Sequence, residues 1–187
     1  MRCLDELSNQ GEELERTNIL PESGTQTPAG FPVTLSAIDV GSNAIRFCVA
    51  EFREPRKFRL RFDDRVPVRL GHGVFVSGRM RDEAMDAAVS AFIGFKRAME
   101  VHGVKHYRAV ATSAVRESSN GAEFVERIRK ESGIELKIID GTEEARLVYL
   151  AVRGRLSFGP RNWLLAELGG GSVEVSLADD KAIVATE

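Results

Sequence analysis

Two stretches of this 187-residue sequence place an acidic side chain at the end of an apolar run, just ahead of glycine-rich backbone. In the first, Ala37-Ile38-Asp39 leads into Gly41-Ser42-Asn43; in the second, Leu165-Ala166-Glu167 leads into Gly169-Gly170-Gly171-Ser172. Backbone without a Cβ lets main-chain N–H groups come close to an anion, so either turn can hold a phosphate. A bare carboxylate beside it would repel that phosphate. The pairing makes chemical sense if Asp39 and Glu167 hold a divalent cation, or its waters, between themselves and the phosphate oxygens. The competing reading is two ordinary hairpin turns with solvated acids, since glycine-rich turns are common. Recurrence 128 positions apart, each time opening a run of strands, weighs toward the phosphate reading.

The elements that must position these loops follow from the apolar pattern. Residues 1–33 mix charges with Pro21, Gly24, Pro28, Gly30 and Pro32 and are expected to form a disordered leader. Strands are expected at 35–40, 44–52 and 58–70. Met85, Ala88, Val89, Phe92, Phe95 and Met99 recur at helical spacing and predict a helix over 81–102, stopped by Gly103. A strand at 107–111, a helix over 122–130 ended by Gly133, a strand at 135–139 and a helix from Thr142, read as its cap, to about 155 complete the order βββαβαβα. This α/β order is the layout of an actin-like (ribonuclease H-like) lobe. After Pro160 the pattern restarts with strands at 163–167, 172–177 and 181–186, the opening β-meander of a second, incomplete lobe. The expected domains are thus a leader over 1–33, a first lobe over 34–158 and the start of a second over 159–187.

Composition narrows the setting. With 43% hydrophobic and 29% charged residues and a net charge of -2, the chain has the balance of a globular domain and no bulk basicity for nucleic acid. No apolar run approaches the roughly 20 residues that span a bilayer, and the acidic N-terminus lacks a secretion signal's apolar core. Cys3 and Cys48 have no metal or redox spacing, nor do His72, His102 and His106, so a reducing cytoplasmic setting is expected.

Four motifs occur in order: Ala37-Ile38-Asp39-Val40-Gly41-Ser42-Asn43, Ala111-Thr112-Ser113-Ala114-Val115-Arg116, Glu143-Glu144-Ala145-Arg146-Leu147 and Gly169-Gly170-Gly171-Ser172. Together with Arg69-Leu70-Gly71 they resemble the exopolyphosphatase / guanosine pentaphosphate phosphatase (Ppx/GppA) family, over residues 35 to 187. The resemblance implies a magnesium-dependent phosphohydrolase that releases the terminal phosphate of inorganic polyphosphate or guanosine pentaphosphate. It implies Glu144 as the base that orients the attacking water and Arg116 as a phosphate clamp. Asp39, Glu167 and Glu174 are the implied metal-side carboxylates, and Gly41, Ser42, Asn43, Gly169, Gly170, Gly171 and Ser172 the implied phosphate loops. Such chemistry needs charge neutralisation and an in-line water more than covalent catalysis.

Each assignment has a plainer competitor. Glu144 could serve only the helix dipole, Arg116 a surface ion pair, and Glu174 the polar side of a strand. The sequence also departs from the family pattern: Glu167 stands where aspartate is usual, Ala44 where a hydroxyl residue is usual, and Val173 where threonine is usual. Family members continue past the equivalent of Glu187 with the rest of a second lobe. The alternative function is therefore a non-catalytic module that binds polyphosphate or alarmone nucleotides. The uncovered meander is expected to favour self-association into a homo-oligomer.

Overall fold

A computed structural model describes residues 30–170 and 172–187. Strand β1 (Val33–Val40) pairs antiparallel with β2 (Ile45–Glu54), which pairs antiparallel with β3 (Lys57–Val66). On the other side of β1, β4 (His106–Ala111) and β5 (Leu136–Ile138) add in parallel. The result is a five-stranded mixed sheet in the order β3-β2-β1-β4-β5, with β1 central. Alternation along β1 explains its place: Ser36, Ile38 and Val40 are buried on one face while Ala37 and Asp39 open onto the other.

The buried face packs against α2 (Asp82–Val101) and α4 (Gly121–Ser132). Met85, Val89, Phe92 and Phe95 of α2 and Phe124 and Ile128 of α4 meet Ile38, Val40, Ile45, Phe47 and Val49 in one core. Phe47 stacks on Phe95 with ring centroids 4.5 Å apart.

The strands and helices expected from the pattern are present, with differences at several of their ends. β3 ends at Val66 rather than Leu70, because Pro67 has no N–H to donate and Arg69 turns the backbone to φ 53. Two short helices, α1 (Gly71–Ser77) and α3 (Ser113–Arg116), fill what was expected to be loop. The last helix, α5 (Gly141–Arg153), is capped by Asp140 and not by Thr142, since the Asp140 carboxylate accepts from Glu143 N at 2.8 Å. β1 begins at Val33, one residue inside the expected leader; residues 1–29 of that leader lie outside the described residues, as does Cys3. Asp140→Ala should cost about 1 kcal/mol in denaturant unfolding, with Thr142→Ala close to neutral.

The C-terminal strands β6 (Trp163–Leu168), β7 (Val173–Ala178) and β8 (Ile183–Thr186) form a second antiparallel sheet in the order β6-β7-β8. Its inner face receives α5: Tyr149 and Phe158 bury against Ala178, with Val152, Leu165 and Ile183 around them. By packing, α5 thus sits with the second sheet, although it precedes the boundary expected at 158. The other face carries Leu164, Leu168 and Val173, which are 69%, 83% and 62% exposed. Among the described residues no helix is long and apolar enough to cross a membrane.

Candidate active site

Asp39 is the last outward-facing residue of β1, and the chain turns directly after it. Gly41 N donates to Ala44 O at 3.1 Å, closing the turn that carries Ser42 and Asn43. The second loop repeats the device, with Gly169 N donating to Ser172 O at 2.8 Å. The expected equivalence of the two loops therefore extends to their hydrogen bonding. Gly171 lies outside the described residues.

The first loop is held from beneath by residues whose role the sequence did not disclose. Gly71 N donates to Ser42 O at 2.8 Å and Arg69 N to Asn43 O at 2.9 Å. A Cβ on Gly71 would lie 2.8 Å from Ser42 Cβ, so only glycine permits that approach. The Ser42 and Ser113 hydroxyls share a hydrogen bond of 3.2 Å, both residues being buried, which ties the loop to the start of α3. The available signal was the Arg69-Leu70-Gly71 match, which carried no role with it.

The two loops touch. A Cβ on Gly170 would lie 2.6 Å from Asn43 Nδ2 and 3.0 Å from Ser42 Cβ. The glycine loops of β1–β2 and β6–β7 thus face each other with no side chain between them at Gly170.

Glu144 reaches the same place from the first turn of α5. Arg116, at the end of α3, donates through one guanidinium nitrogen to the Glu144 carboxylate at 3.2 Å and to Ile139 O at 2.9 Å. The neighbouring Glu143 is disposed differently. Arg146 and Arg108 both hydrogen-bond it, each at 2.6 Å, and pull its pKa down to about 2. Of the adjacent pair, Glu143 is locked in surface ion pairs while Glu144 faces the acidic cluster around the loops.

Glu167 and Glu174 sit directly opposite each other on β6 and β7. Each has a buried Oε2 with no hydrogen-bond partner. A cavity of about 10 Å³ beside them, lined also by Ala145, Val148, Leu165 and Ser176, is at the lower limit for a single water or ion. A Cβ on Gly141 would lie 3.2 Å from Glu174 Oε1, so the start of α5 leans on this carboxylate.

Charge repulsion marks the cluster. Asp39 is raised above the ordinary carboxylate range by loss of water, against the pull of Arg46 and with a further push from Glu144. Glu167 is raised by burial and by the charges of Glu144 and Asp39. Glu174 is raised by burial and by Glu144 and Glu167, partly offset by Arg116. Every candidate except Gly171 is therefore brought to one locality. Hard oxygen donors, two of them buried and unpartnered, repelling one another, are a set that a divalent cation would satisfy. Among the described residues no three acidic or histidine side chains form a ready-made metal cage.

These shifts have a sign that can be checked. Raised carboxylates bind more protons in the folded state than in the unfolded one, so their contribution to stability falls as pH rises above the ordinary carboxylate range. Glu143 and Glu126, held near 2 chiefly by arginines, act oppositely, their contribution being lost as pH falls from the ordinary carboxylate range toward 2. Metal-free protein should thus melt higher near about pH 5 than at neutrality, and magnesium at neutral pH should erase the difference. Thermal melts across pH, with and without the ion, measure it.

The Ppx/GppA phosphatase family model matches residues 49–187. Exopolyphosphatase 1 of Mycobacterium tuberculosis is 32% identical over 147 residues, covering 79% of this chain and 43% of the relative. Exopolyphosphatase 2 of the same organism is 30% identical over 158 residues, covering 80% and 49%. Among solved structures, an exopolyphosphatase from Cytophaga hutchinsonii matches with a TM-score of 0.78 at 30% identity, covering 82% of this chain and 49% of that one. The Aquifex aeolicus Ppx/GppA family member matches with a TM-score of 0.74 at 26% identity, covering 83% and 50%. The chain spans about half the length of the curated relatives it matches. The family model takes in most of the chain, and the chain belongs to the Ppx/GppA phosphatase family.

Proposed function

We propose that this chain carries the phosphate-binding and water-activating half of a phosphohydrolase that releases terminal phosphate from inorganic polyphosphate or guanosine pentaphosphate. The observation that carries the reading is the meeting of the two glycine loops at Gly170 and Asn43, in a cluster where Glu144 is paired with Arg116. The loop N–H groups bind the terminal phosphate, Arg116 neutralises its charge, and Glu144 orients the attacking water and takes its proton. Asp39, Glu167 and Glu174 would hold magnesium, which supplies charge withdrawal from the phosphate oxygens when bound. Residues 34–158 are then the first actin-like lobe and 159–187 the opening of the second, with α5 of the first stretch packing on the sheet of the second. The enzyme works in the cytoplasm, in keeping with two cysteines of no redox spacing.

The test is phosphate release from tripolyphosphate, long-chain polyphosphate and guanosine pentaphosphate by the purified chain, with and without magnesium. Magnesium-dependent release supports the reading. Binding without release would instead favour a non-catalytic polyphosphate or alarmone module. The exposed apolar face of β6–β8 also gives weak, concentration-dependent self-association, which sedimentation over a concentration series measures.

A further inference from the structure

We infer that the tip of the β2–β3 hairpin and the α5–β6 connection form a second anion-binding surface, remote from the glycine loops, that takes the distal part of a linear polyphosphate chain. Residues 51–61 and 154–162 together hold seven arginines and lysines against two carboxylates, in a chain whose net charge is -2. Packing joins the two segments: the Arg155 guanidinium lies 5.9 Å over the Phe58 ring. Both carboxylates are already engaged, Glu51 by Arg53 and Arg61 and Glu54 by Lys57. The surplus is therefore positive.

The hairpin tip itself carries a charged residue where backbone geometry favours a small one. Its turn runs through Pro55 and Arg56, and Arg56 has φ 67. A tight turn with proline first and positive φ second is ordinarily completed by glycine or asparagine. Arg56 accepts backbone strain there and places a guanidinium at the extreme end of the hairpin.

The chemistry on offer is mainly guanidinium, since the part-exposed rings of Phe58 and Trp163 are already packed on protein partners. Phe58 packs on Phe52 at 5.2 Å and beneath Arg155. Trp163 stacks on Phe158 at 5.4 Å and donates its indole N–H to Phe158 O at 2.6 Å. Single-stranded nucleic acid is held largely by base stacking, whereas forked guanidinium donors suit phosphate oxygens. This favours an inorganic phosphate chain over RNA.

Distance makes the surface selective for length. The ten residues of β2 separate the hairpin tip from the Asp39 end of the sheet by roughly 30 Å. The 13 residues of α5 carry the chain about 20 Å from the Glu144 end to Arg155. Only a substrate of many phosphates can touch both places. The inference rests on the phosphohydrolase reading solely for choosing polyphosphate as the polyanion.

The experiment compares the full chain with the triple variant Arg56→Gly, Lys57→Gln, Arg155→Gln, and with Arg56→Gly alone. Calorimetric affinity for long-chain polyphosphate should fall about tenfold in the triple variant, with a shallower dependence on salt. Affinity for tripolyphosphate and its hydrolysis should not change. Arg56→Gly alone should keep or raise the melting temperature while weakening long-chain binding, an outcome that a purely structural turn residue would not give. Unchanged long-chain affinity, or an equal loss for tripolyphosphate, overturns the proposal. So does an RNA oligonucleotide that loses affinity in the triple variant while polyphosphate does not. If the parent hydrolyses nothing but its long-chain binding still depends on these residues, the surface stands and the phosphohydrolase reading falls.

Discussion

Glu144→Gln should lower phosphate release at least about a hundredfold, the range in which general-base contributions fall, while leaving polyphosphate binding largely intact. Glutamine keeps the size of the side chain and can still accept from Arg116, but it cannot take a proton from water. The adjacent Glu143 provides an internal control. It has the same chemistry one residue away, yet Arg146 and Arg108 hold it in surface ion pairs. Glu143→Gln should therefore leave turnover within about threefold of the parent, as expected for the loss of exposed ion pairs. A Glu144→Gln enzyme as fast as the parent would reduce Glu144 to a helix-start acid.

The contrast between the two glutamates shows where sequence reading stops. Both follow Asp140-Gly141-Thr142 at the start of an apolar helical stripe, and both complement a helix dipole equally well. What separates them is Arg116, 28 residues away, and Arg108, 35 residues away. No local pattern encodes those distances; only the family resemblance pointed to Glu144. The loops were different. Each announces itself as strand, acid, then glycine, because a turn that brings N–H groups together needs those residue types consecutively.

The misread elements have local causes. Val66-Pro67-Val68-Arg69-Leu70 alternates as a strand would, so β3 appeared to run on, but Pro67 withdraws a donor and the Arg69 N–H is spent on Asn43 O. α3 spans four residues, fewer than two turns, and so leaves no periodicity to detect. Asp140 and Thr142 are both good caps two positions apart, and the choice between them rests on which side chain reaches a free N–H. The stripe of α5 announced a buried face without saying which sheet would receive it. Ala145 and Tyr149 turn out to bury toward the second sheet, which lines up the start of α5 with Glu174.

Arg116→Gln should cost about 10² to 10³ in turnover, the usual loss when a donor aimed at developing charge is removed. The guanidinium answers two demands at once. It ties the end of α3 to Ile139 O, and it is the cation paired with Glu144 amid Asp39, Glu167 and Glu174. Lysine keeps the charge but loses the fork, so Arg116→Lys should recover only part of the rate. The proposed mechanism has Arg116 and Glu144 act on the same phosphate, and they are hydrogen-bonded to each other, so the double variant Arg116→Gln, Glu144→Gln should be little slower than the worse single one. Stability supplies a readout that does not depend on turnover. Arg116 lowers the pKa of Glu174, which burial and its acidic neighbours otherwise raise. Removing the cation raises Glu174 further, so the folded state holds its extra proton to higher pH. The metal-free variant should then lose stability more steeply than the parent as pH rises toward neutrality. Parallel melting curves for variant and parent across that range would place Arg116 outside the carboxylate cluster, and the clamp would have to be sought in another cation.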